Sequence, residues 1–220
     1  MASLLIVANL KSYMNETEAN AWINEFKIHI EILANLEEKE VVICPPFTLL
    51  SLFKLSFSDT KIKIGAQNLS PFDEGAYTGE VNAKQIKDFA DYVIIGHSER
   101  RSNFGEVDEL IFKKTTLAEK YGLAPIVCVQ NKDAKVPPNA KILAYEPTFA
   151  IGSGNPDSPK NASEVAKEFL SKNAEISVLY GGSVSSENVS SFTKAENITG
   201  VLVGSASLDP LEFIKIIENA

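Results

Sequence analysis

Three side chains of different chemistry stand just after short apolar runs of the sequence. Lys11, His97 and Glu146 offer an ammonium, an imidazole and a carboxylate, and the run before Glu146 is Lys141-Ile142-Leu143-Ala144. A carboxylate and an imidazole are the usual groups for moving protons near neutral pH, and an ammonium offsets negative charge. The combination indicates acid–base chemistry beside a local cation.

The stretch that follows Glu146 has the composition of a hinged loop. Pro147 stiffens its start, Gly152 and Gly154 loosen its end, and its middle, Phe149-Ala150-Ile151, is apolar. Proline fixes φ and glycine frees it, so we predict a lid that closes over Glu146 and excludes water. The alternative is an ordinary Pro–Gly connection in which Glu146 is a solvated loop residue.

Two short runs of small residues near the carboxyl end of the chain could hold an anion. Gly181-Gly182-Ser183 and Gly204-Ser205 each follow an apolar run, and small residues let the backbone approach a ligand closely. In a barrel of eight parallel strands, the loops after strands seven and eight are the usual phosphate site. These two loops therefore predict a phosphate cradle.

The elements that must position these residues alternate between buried strands and amphipathic helices. Eight apolar runs are predicted strands, at residues 4–8, 41–44, 62–66, 92–95, 125–129, 142–145, 176–179 and 201–203. Helical periodicity separates most of them, which predicts an α/β fold, a (β/α)₈ TIM barrel, formed by residues 1–220 as one domain. An open doubly wound sheet also fits the alternation. Residues 130–141 are too few for a full helix, so the outer helix after strand five is expected to be shortened or missing.

Composition excludes several classes of function. The net charge of -8 and the absence of a Lys/Arg cluster argue against a nucleic-acid partner. No run reaches membrane-spanning length, and the first residues do not resemble a secretion signal, so a cytoplasmic protein without a membrane partner is expected. Cys44 and Cys128 are expected to be reduced and buried, and two histidines, His29 and His97, are too few for a metal cluster.

Seven stretches in order along the chain resemble triosephosphate isomerase, and the resemblance covers essentially its whole length. They are Asn9-Leu10-Lys11, Gly65-Ala66-Gln67-Asn68, Gly75-Ala76-Tyr77-Thr78-Gly79-Glu80, Ile95-Gly96-His97-Ser98-Glu99-Arg100-Arg101, residues 144–154, Tyr180-Gly181-Gly182-Ser183-Val184 and Leu202-Val203-Gly204-Ser205-Ala206-Ser207-Leu208. The resemblance implies a cofactor-free isomerase that interconverts glyceraldehyde 3-phosphate and dihydroxyacetone phosphate through an enediolate, in glycolysis and gluconeogenesis.

The same resemblance implies a role for each candidate residue. Glu146 matches the catalytic base, and His97 matches the electrophile that polarises the carbonyl group. This family is itself the usual illustration of a neutral imidazole held at a helix N-terminus. Lys11 matches the lysine that offsets enediolate and phosphate charge, with Asn9 orienting it. The positions that match the phosphate grip are Gly152, Ser183, Gly204 and Ser205.

The sequence departs from the family at several of these positions. Leu10 and Phe149 stand where the family usually has tryptophan, Gln130-Asn131 replaces a Gly-Glu pair, and Ser205 replaces a glycine. A backbone N–H donor at Ser205 needs no glycine unless its φ is positive. Glu99 could simply pair with Lys11 or Arg100. A sugar-phosphate-binding barrel without catalysis is the alternative function, and Glu146 beside a lid argues against it because a pure binder needs no base.

A long loop at residues 70–79 suggests assembly into a homodimer. It carries Phe72 and Tyr77 where a solvated loop would be polar, and long loops in compact domains are usually functional or disordered. In the family this loop inserts into a twofold partner and places the residue matching Thr78 near the partner's catalytic groups. The alternative is that the loop folds back over its own barrel and that the chain is a monomer.

Overall fold

The computed structural model describes residues 3–30, 36–150 and 154–220 of the chain. Eight parallel strands form a closed barrel in which each strand pairs with its neighbours in sequence and the last pairs with the first. The strands are β1 (Leu4–Asn9), β2 (Lys39–Cys44), β3 (Lys63–Ala66), β4 (Tyr92–Ile95), β5 (Ala124–Val129), β6 (Ile142–Tyr145), β7 (Ser177–Tyr180) and β8 (Gly200–Val203). The predicted (β/α)₈ barrel is confirmed, and the open-sheet alternative is wrong.

Helices follow the strands and cover the outside of the barrel. Those described are α1 (Glu16–Ile30), α2 (Leu50–Ser56), α3 (Ala83–Lys87), α4 (Ser98–Phe104), α5 (Asp108–Lys120), α6 (Pro159–Lys172), α7 (Val189–Thr193) and α8 (Pro210–Asn219). Local capping sets where some of them begin. Asn15 and Glu18 form a reciprocal cap before α1, and Asp209 caps α8, whose first residue is Pro210.

The strands separate two apolar cores because their side chains alternate between the barrel interior and the helices. On β1, Leu5 and Val7 belong to the inner core, whereas Ile6 and Ala8 belong to the core between barrel and helices. Both faces are buried, which is why each strand reads as an almost continuous apolar run in the sequence. Cys44 and Cys128 are buried and unpaired, as expected, and burial raises the pKa of each thiol.

The segment between β5 and β6 contains no helix, as predicted. Ala140 is buried in the outer core, and Ala134 and Val136 pack against that core. Val129 and Leu143, on the two adjoining strands, remain fully buried. The short segment therefore covers this part of the barrel with three small side chains where a helix would use a longer apolar stripe.

The segment after β4 contains two helices, α4 and α5. Residues 98–104 form the short helix α4, which begins directly after His97. Val107 precedes α5 and is 57% exposed. The buried positions are instead occupied by Glu106 and Lys114, which form an ion pair with side chains only 2% and 3% exposed. Lys114 also donates to Asn68 Oδ1 at 2.7 Å, so its ammonium group is satisfied by polar partners.

Among the described residues, no helix is long and apolar enough to cross a membrane. The same residues contain no group of three or more His, Cys, Asp or Glu side chains that could hold a metal ion.

Candidate active site

The candidate residues meet at the carboxyl ends of the strands. A pocket of about 270 Å³ opens there, and the predicted site residues that line it are Asn9, Lys11, His97, Glu146, Ser183, Gly204 and Ser205. They come from the end of β1 and from the segments after β1, β4, β6, β7 and β8, so residues almost 200 positions apart share one cavity. Gly152, the remaining predicted site residue, lies outside the described residues.

Glu146 is a buried carboxylate that faces an imidazole. It is 1% exposed, and its Oε1 lies 3.0 Å from His97 Nε2. Its Oε2 accepts a hydrogen bond from the Ser98 backbone N–H at 2.9 Å. Gly181 packs against it so closely that a Cβ there would lie 3.0 Å from Glu146 Cγ. These contacts fix the carboxylate by backbone and by packing.

His97 is held in one orientation by the start of α4. Its Nδ1 accepts a hydrogen bond from the Glu99 backbone N–H at 3.2 Å, so the ring serves as the N-cap of that helix. A nitrogen that accepts carries no proton, and the arrangement is therefore that of a neutral ring with its N–H on Nε2, directed at Glu146. Burial lowers the pKa of His97, but the charge and hydrogen bond of Glu146 and the charge of Glu99 raise it, and the net shift is upward.

Lys11 adopts a backbone conformation that its neighbours stabilise. Its φ is 54°, in the left-handed region, and its N–H donates to Asn9 Oδ1 at 3.0 Å. Gln67 Nε2 donates to the Lys11 carbonyl oxygen at 2.7 Å. The Lys11 Nζ lies 2.6 Å from Glu99 Oε1, so of the two pairings considered for Glu99, the pairing with Lys11 is the one observed. Asn9 and Gln67 thus direct the ammonium group toward the pocket.

The opposite side of the pocket is built from small residues. A Cβ on Gly204 would lie 3.2 Å from Lys11 Cε, so glycine permits this close packing. Ser205 begins a short 3₁₀ helix, Ser205–Leu208, and is not among the described residues with positive φ, which agrees with serine at this position. Ser183 has a φ of 45° and its hydroxyl donates to the Ala150 carbonyl oxygen, within the loop that follows Glu146.

Several pocket residues were missed by the sequence analysis. They are Val184, Ser185, Asn188, Leu202 and Ala206, which line the pocket beside the predicted groups. Most are apolar or small and carry no chemical signal of their own. The buried pair Glu106–Lys114 was also missed, although the sequence held a clue, because Lys114 falls within the apolar stripe of Ile111 and Ala118 on α5.

The arrangement can move protons on a small anionic molecule. A buried carboxylate and a neutral imidazole N–H are in direct contact at 3.0 Å, so a substrate that displaces this contact would meet a base and a hydrogen-bond donor side by side. Of the described residues that line the pocket, Lys11 is the only lysine or arginine. The cavity therefore combines a base, a hydrogen-bond donor and one cation beside loops of small residues.

Comparison with known proteins assigns this chain to a family. The family model described as triosephosphate isomerase matches residues 4–140 and 134–220. Curated proteins named triosephosphate isomerase are 39% identical in Dictyoglomus thermophilum, 38% in Aquifex aeolicus and 37% in Gloeothece citriformis. These alignments cover 100%, 97% and 99% of this chain and 100%, 98% and 99% of the relatives. The chain belongs to the triosephosphate isomerase family.

Proposed function

We propose that Glu146, His97 and Lys11 carry out the reaction of this family in the chain. That reaction is the interconversion of glyceraldehyde 3-phosphate and dihydroxyacetone phosphate, a step of glycolysis and gluconeogenesis, and the chain is an isomerase of this kind. The observation that carries the assignment of roles is the buried Glu146 carboxylate facing His97 Nε2 at 3.0 Å. A phosphate-binding protein without catalysis would have no use for this pair.

The proton moves between the two carbons of the substrate through Glu146. The carboxylate removes a proton from the carbon next to the carbonyl group, and the electron pair of that C–H bond forms the double bond of an enediolate. His97 Nε2–H donates to the carbonyl oxygen as negative charge develops on it. His97 passes a proton to the former carbonyl oxygen and takes one from the neighbouring hydroxyl oxygen. Glu146 then returns its proton to the former carbonyl carbon, and the enediolate becomes the other triose phosphate. No electron leaves or enters the substrate.

Lys11 offsets the negative charge of the enediolate and of the phosphate group. Its Nζ is bound to Glu99 without ligand, at 2.6 Å, and an anion in the pocket would compete for it. Asn9 supports this role through its hydrogen bond to the Lys11 backbone. Ser183, Gly204 and Ser205 would bind the phosphate group together with Gly152.

A coupled assay that converts glyceraldehyde 3-phosphate to dihydroxyacetone phosphate tests the proposal. We expect turnover by the purified chain and its loss in Glu146→Gln. Turnover that persists in Glu146→Gln at more than about one tenth of the parent rate would reject Glu146 as the base, since general base catalysis contributes about 10²–10⁴-fold.

We also propose that two copies of the chain form a homodimer through the loop around Thr78. Exposed aromatic side chains in the segments that follow β1 to β4 support it, namely Tyr13, Phe47, Phe72, Tyr77 and Phe104. These four strands are neighbours in the barrel, so the aromatic residues lie on one side of its carboxyl end. Such an accumulation of exposed apolar area is typical of an interface.

The loop at residues 70–79 is held in place by contacts with the rest of the chain while its aromatic rings remain exposed. Phe72 and Tyr77 stack at 4.4 Å between ring centroids while each stays nearly half exposed. Asp73 accepts hydrogen bonds from Lys120 and Tyr121, and these bonds, with one from the Glu74 N–H, lower the pKa of Asp73 to about 2. The base of the loop is therefore tied to the end of α5, and its rings face outward.

We propose that the chain acts in the cytoplasm. It acts as one domain on a small molecule, without a nucleic-acid or membrane partner. Two buried, unpaired cysteines and the net charge of -8 support this view.

A further inference from the structure

Asp157 lies just after the loop that follows Glu146 and forms hydrogen bonds with residues of three elements. Its Oδ2 accepts from the Tyr145 hydroxyl at 3.1 Å and from Asn161 Nδ2 at 2.6 Å. Its Oδ1 accepts from the Ser158 backbone N–H at 2.7 Å, and its own N–H donates to the Tyr180 hydroxyl at 2.7 Å. One half-buried residue therefore joins the ends of β6 and β7 to the start of α6.

Tyr145 and Tyr180, the two tyrosines that bond to Asp157, are held in place by the barrel. Tyr145 ends β6, directly before Glu146, and Tyr180 ends β7, directly before Gly181. Both are buried, and the Tyr180 ring stacks on Phe192 with 3.8 Å between centroids. Burial raises the pKa of Tyr145, and the charge of Asp157 and the hydrogen bond to it raise it further, so the hydroxyl remains a donor.

The same tyrosine hydroxyl supports the phosphate side of the pocket. A Cβ on Gly182 would lie 2.7 Å from Tyr180 Oη and 3.0 Å from Ala150 Cβ, so Gly182 packs directly on both. The next residue, Ser183, donates to the Ala150 carbonyl oxygen. Asp157 is thus linked to the predicted phosphate-binding residue Ser183 by its N–H bond to Tyr180 and by the packing of Gly182 on Tyr180.

We propose that Asp157 is a positioning residue for phosphate binding. Its carboxylate ties the end of the loop after Glu146 to Tyr145, and its N–H ties the same point to Tyr180, which holds Gly182 and Ser183 in place. This inference rests on the proposed function, because it names a residue that prepares the phosphate side of that same site. Without the carboxylate, this end of the loop would have to be ordered when phosphate binds, and the cost of ordering it would weaken binding.

The effect should fall on binding and not on the proton transfer. Glu146 is fixed without Asp157, since its N–H donates to the Val129 carbonyl oxygen at 2.8 Å and its carboxylate accepts from Ser98. A change that weakens ground-state and transition-state binding alike raises KM and leaves kcat unchanged. A general loss of folded protein would instead lower the apparent kcat.

The test compares Asp157→Ala with the parent in two measurements, the kinetics of the full chain and the dissociation constant of inorganic phosphate. We expect KM for glyceraldehyde 3-phosphate and the phosphate dissociation constant to rise together by about 10-fold, the scale of losing one hydrogen bond to a charged group, with kcat within about twofold. Asp157→Asn keeps the volume of the side chain and one acceptor oxygen, so KM and the phosphate dissociation constant should rise together by only about threefold. Glu164→Ala, on the exposed side of α6, removes an equal charge and should leave both constants unchanged.

A double-mutant cycle with Tyr145→Phe identifies the bond responsible. Tyr145→Phe should weaken phosphate binding in the parent and cause no further loss in Asp157→Ala, because both variants remove the same contact. Additive losses would overturn the pairing, and an unchanged phosphate dissociation constant in both Asp157 variants would overturn the inference as a whole. A parent chain without isomerase activity would instead count against the proposed function.

Discussion

Replacing Lys11 by methionine should weaken the binding of phosphate ligands without disturbing the pocket. Methionine keeps much of the apolar stem and removes the charge. The backbone bonds of Asn9 and Gln67 to residue 11 do not involve the side chain, so the left-handed conformation should survive. No other lysine or arginine lines the pocket among the described residues, so no second cation can take over.

The size of the effect follows from the charges around Lys11. Two unit charges about 4 Å apart attract by about 4 kcal/mol at an effective dielectric constant of about 20. Part of this attraction is offset, because Lys11 must leave Glu99, to which it is bound at 2.6 Å. We therefore expect a net loss of about 2.7 kcal/mol, which is about a 100-fold rise in the dissociation constant of inorganic phosphate.

Calorimetric titration with inorganic phosphate at low salt measures this constant, and the isomerase assay gives kcat/KM for the same variants. Lys61→Met is the matched control, because it removes one positive charge from a side chain that is 77% exposed and paired with Glu37 at the surface. The control should bind phosphate as the parent does. Equal phosphate affinity in Lys11→Met and the parent would refute the electrostatic reasoning.

Stability, pH and assembly give three more predictions. Lys114→Met should lower the free energy of unfolding in urea by about 3 kcal/mol, because Glu106 stays buried without its closest partner; a loss under about 1 kcal/mol would contradict this. Burial lowers the pKa of His97, but Glu146 raises it more, so the charged ring stabilises the fold. This stabilisation should be complete below about pH 6.5 and should disappear as the pH rises through the folded-state pKa of His97. The difference in unfolding free energy between the parent and His97→Asn should shrink over that range. Over the same window kcat/KM should rise, since the neutral ring is the donor, and parallel trends would be inconsistent with that role. Shortening residues 71–77 should give a species near 24.0 kDa with reduced activity in sedimentation, whereas a fully active parent of that mass would exclude the dimer.

The fold could be predicted because strands that are buried on both faces appear in the sequence as almost continuous apolar runs. The run Leu4-Leu5-Ile6-Val7-Ala8 is typical of a strand with apolar surroundings on each side, and Asp209-Pro210 marks the start of α8. The carboxyl ends of parallel strands meet at one end of a barrel, so the pocket residues could also be named.

The side-chain partners could not be predicted in the same way. Glu99 lies 88 positions from Lys11 in sequence, and nothing local distinguishes it as a partner of Lys11 from a partner of Arg100. Asp157 looks like an ordinary residue before a helix cap, and only the folded chain brings it to Tyr145 and Tyr180. Such contacts depend on how β6 and β7 stand side by side, which periodicity does not encode.

The role of Glu146 as the base is the central claim, and one substitution tests it most directly. Glu146→Gln keeps the side-chain shape and an oxygen that can accept from the Ser98 N–H, but it removes the carboxylate that faces His97. We predict that isomerase activity in the coupled assay falls by about 10²–10⁴-fold while the dissociation constant of inorganic phosphate stays within about twofold of the parent value. A loss of activity smaller than about tenfold, in a variant that still binds phosphate, would contradict the assignment.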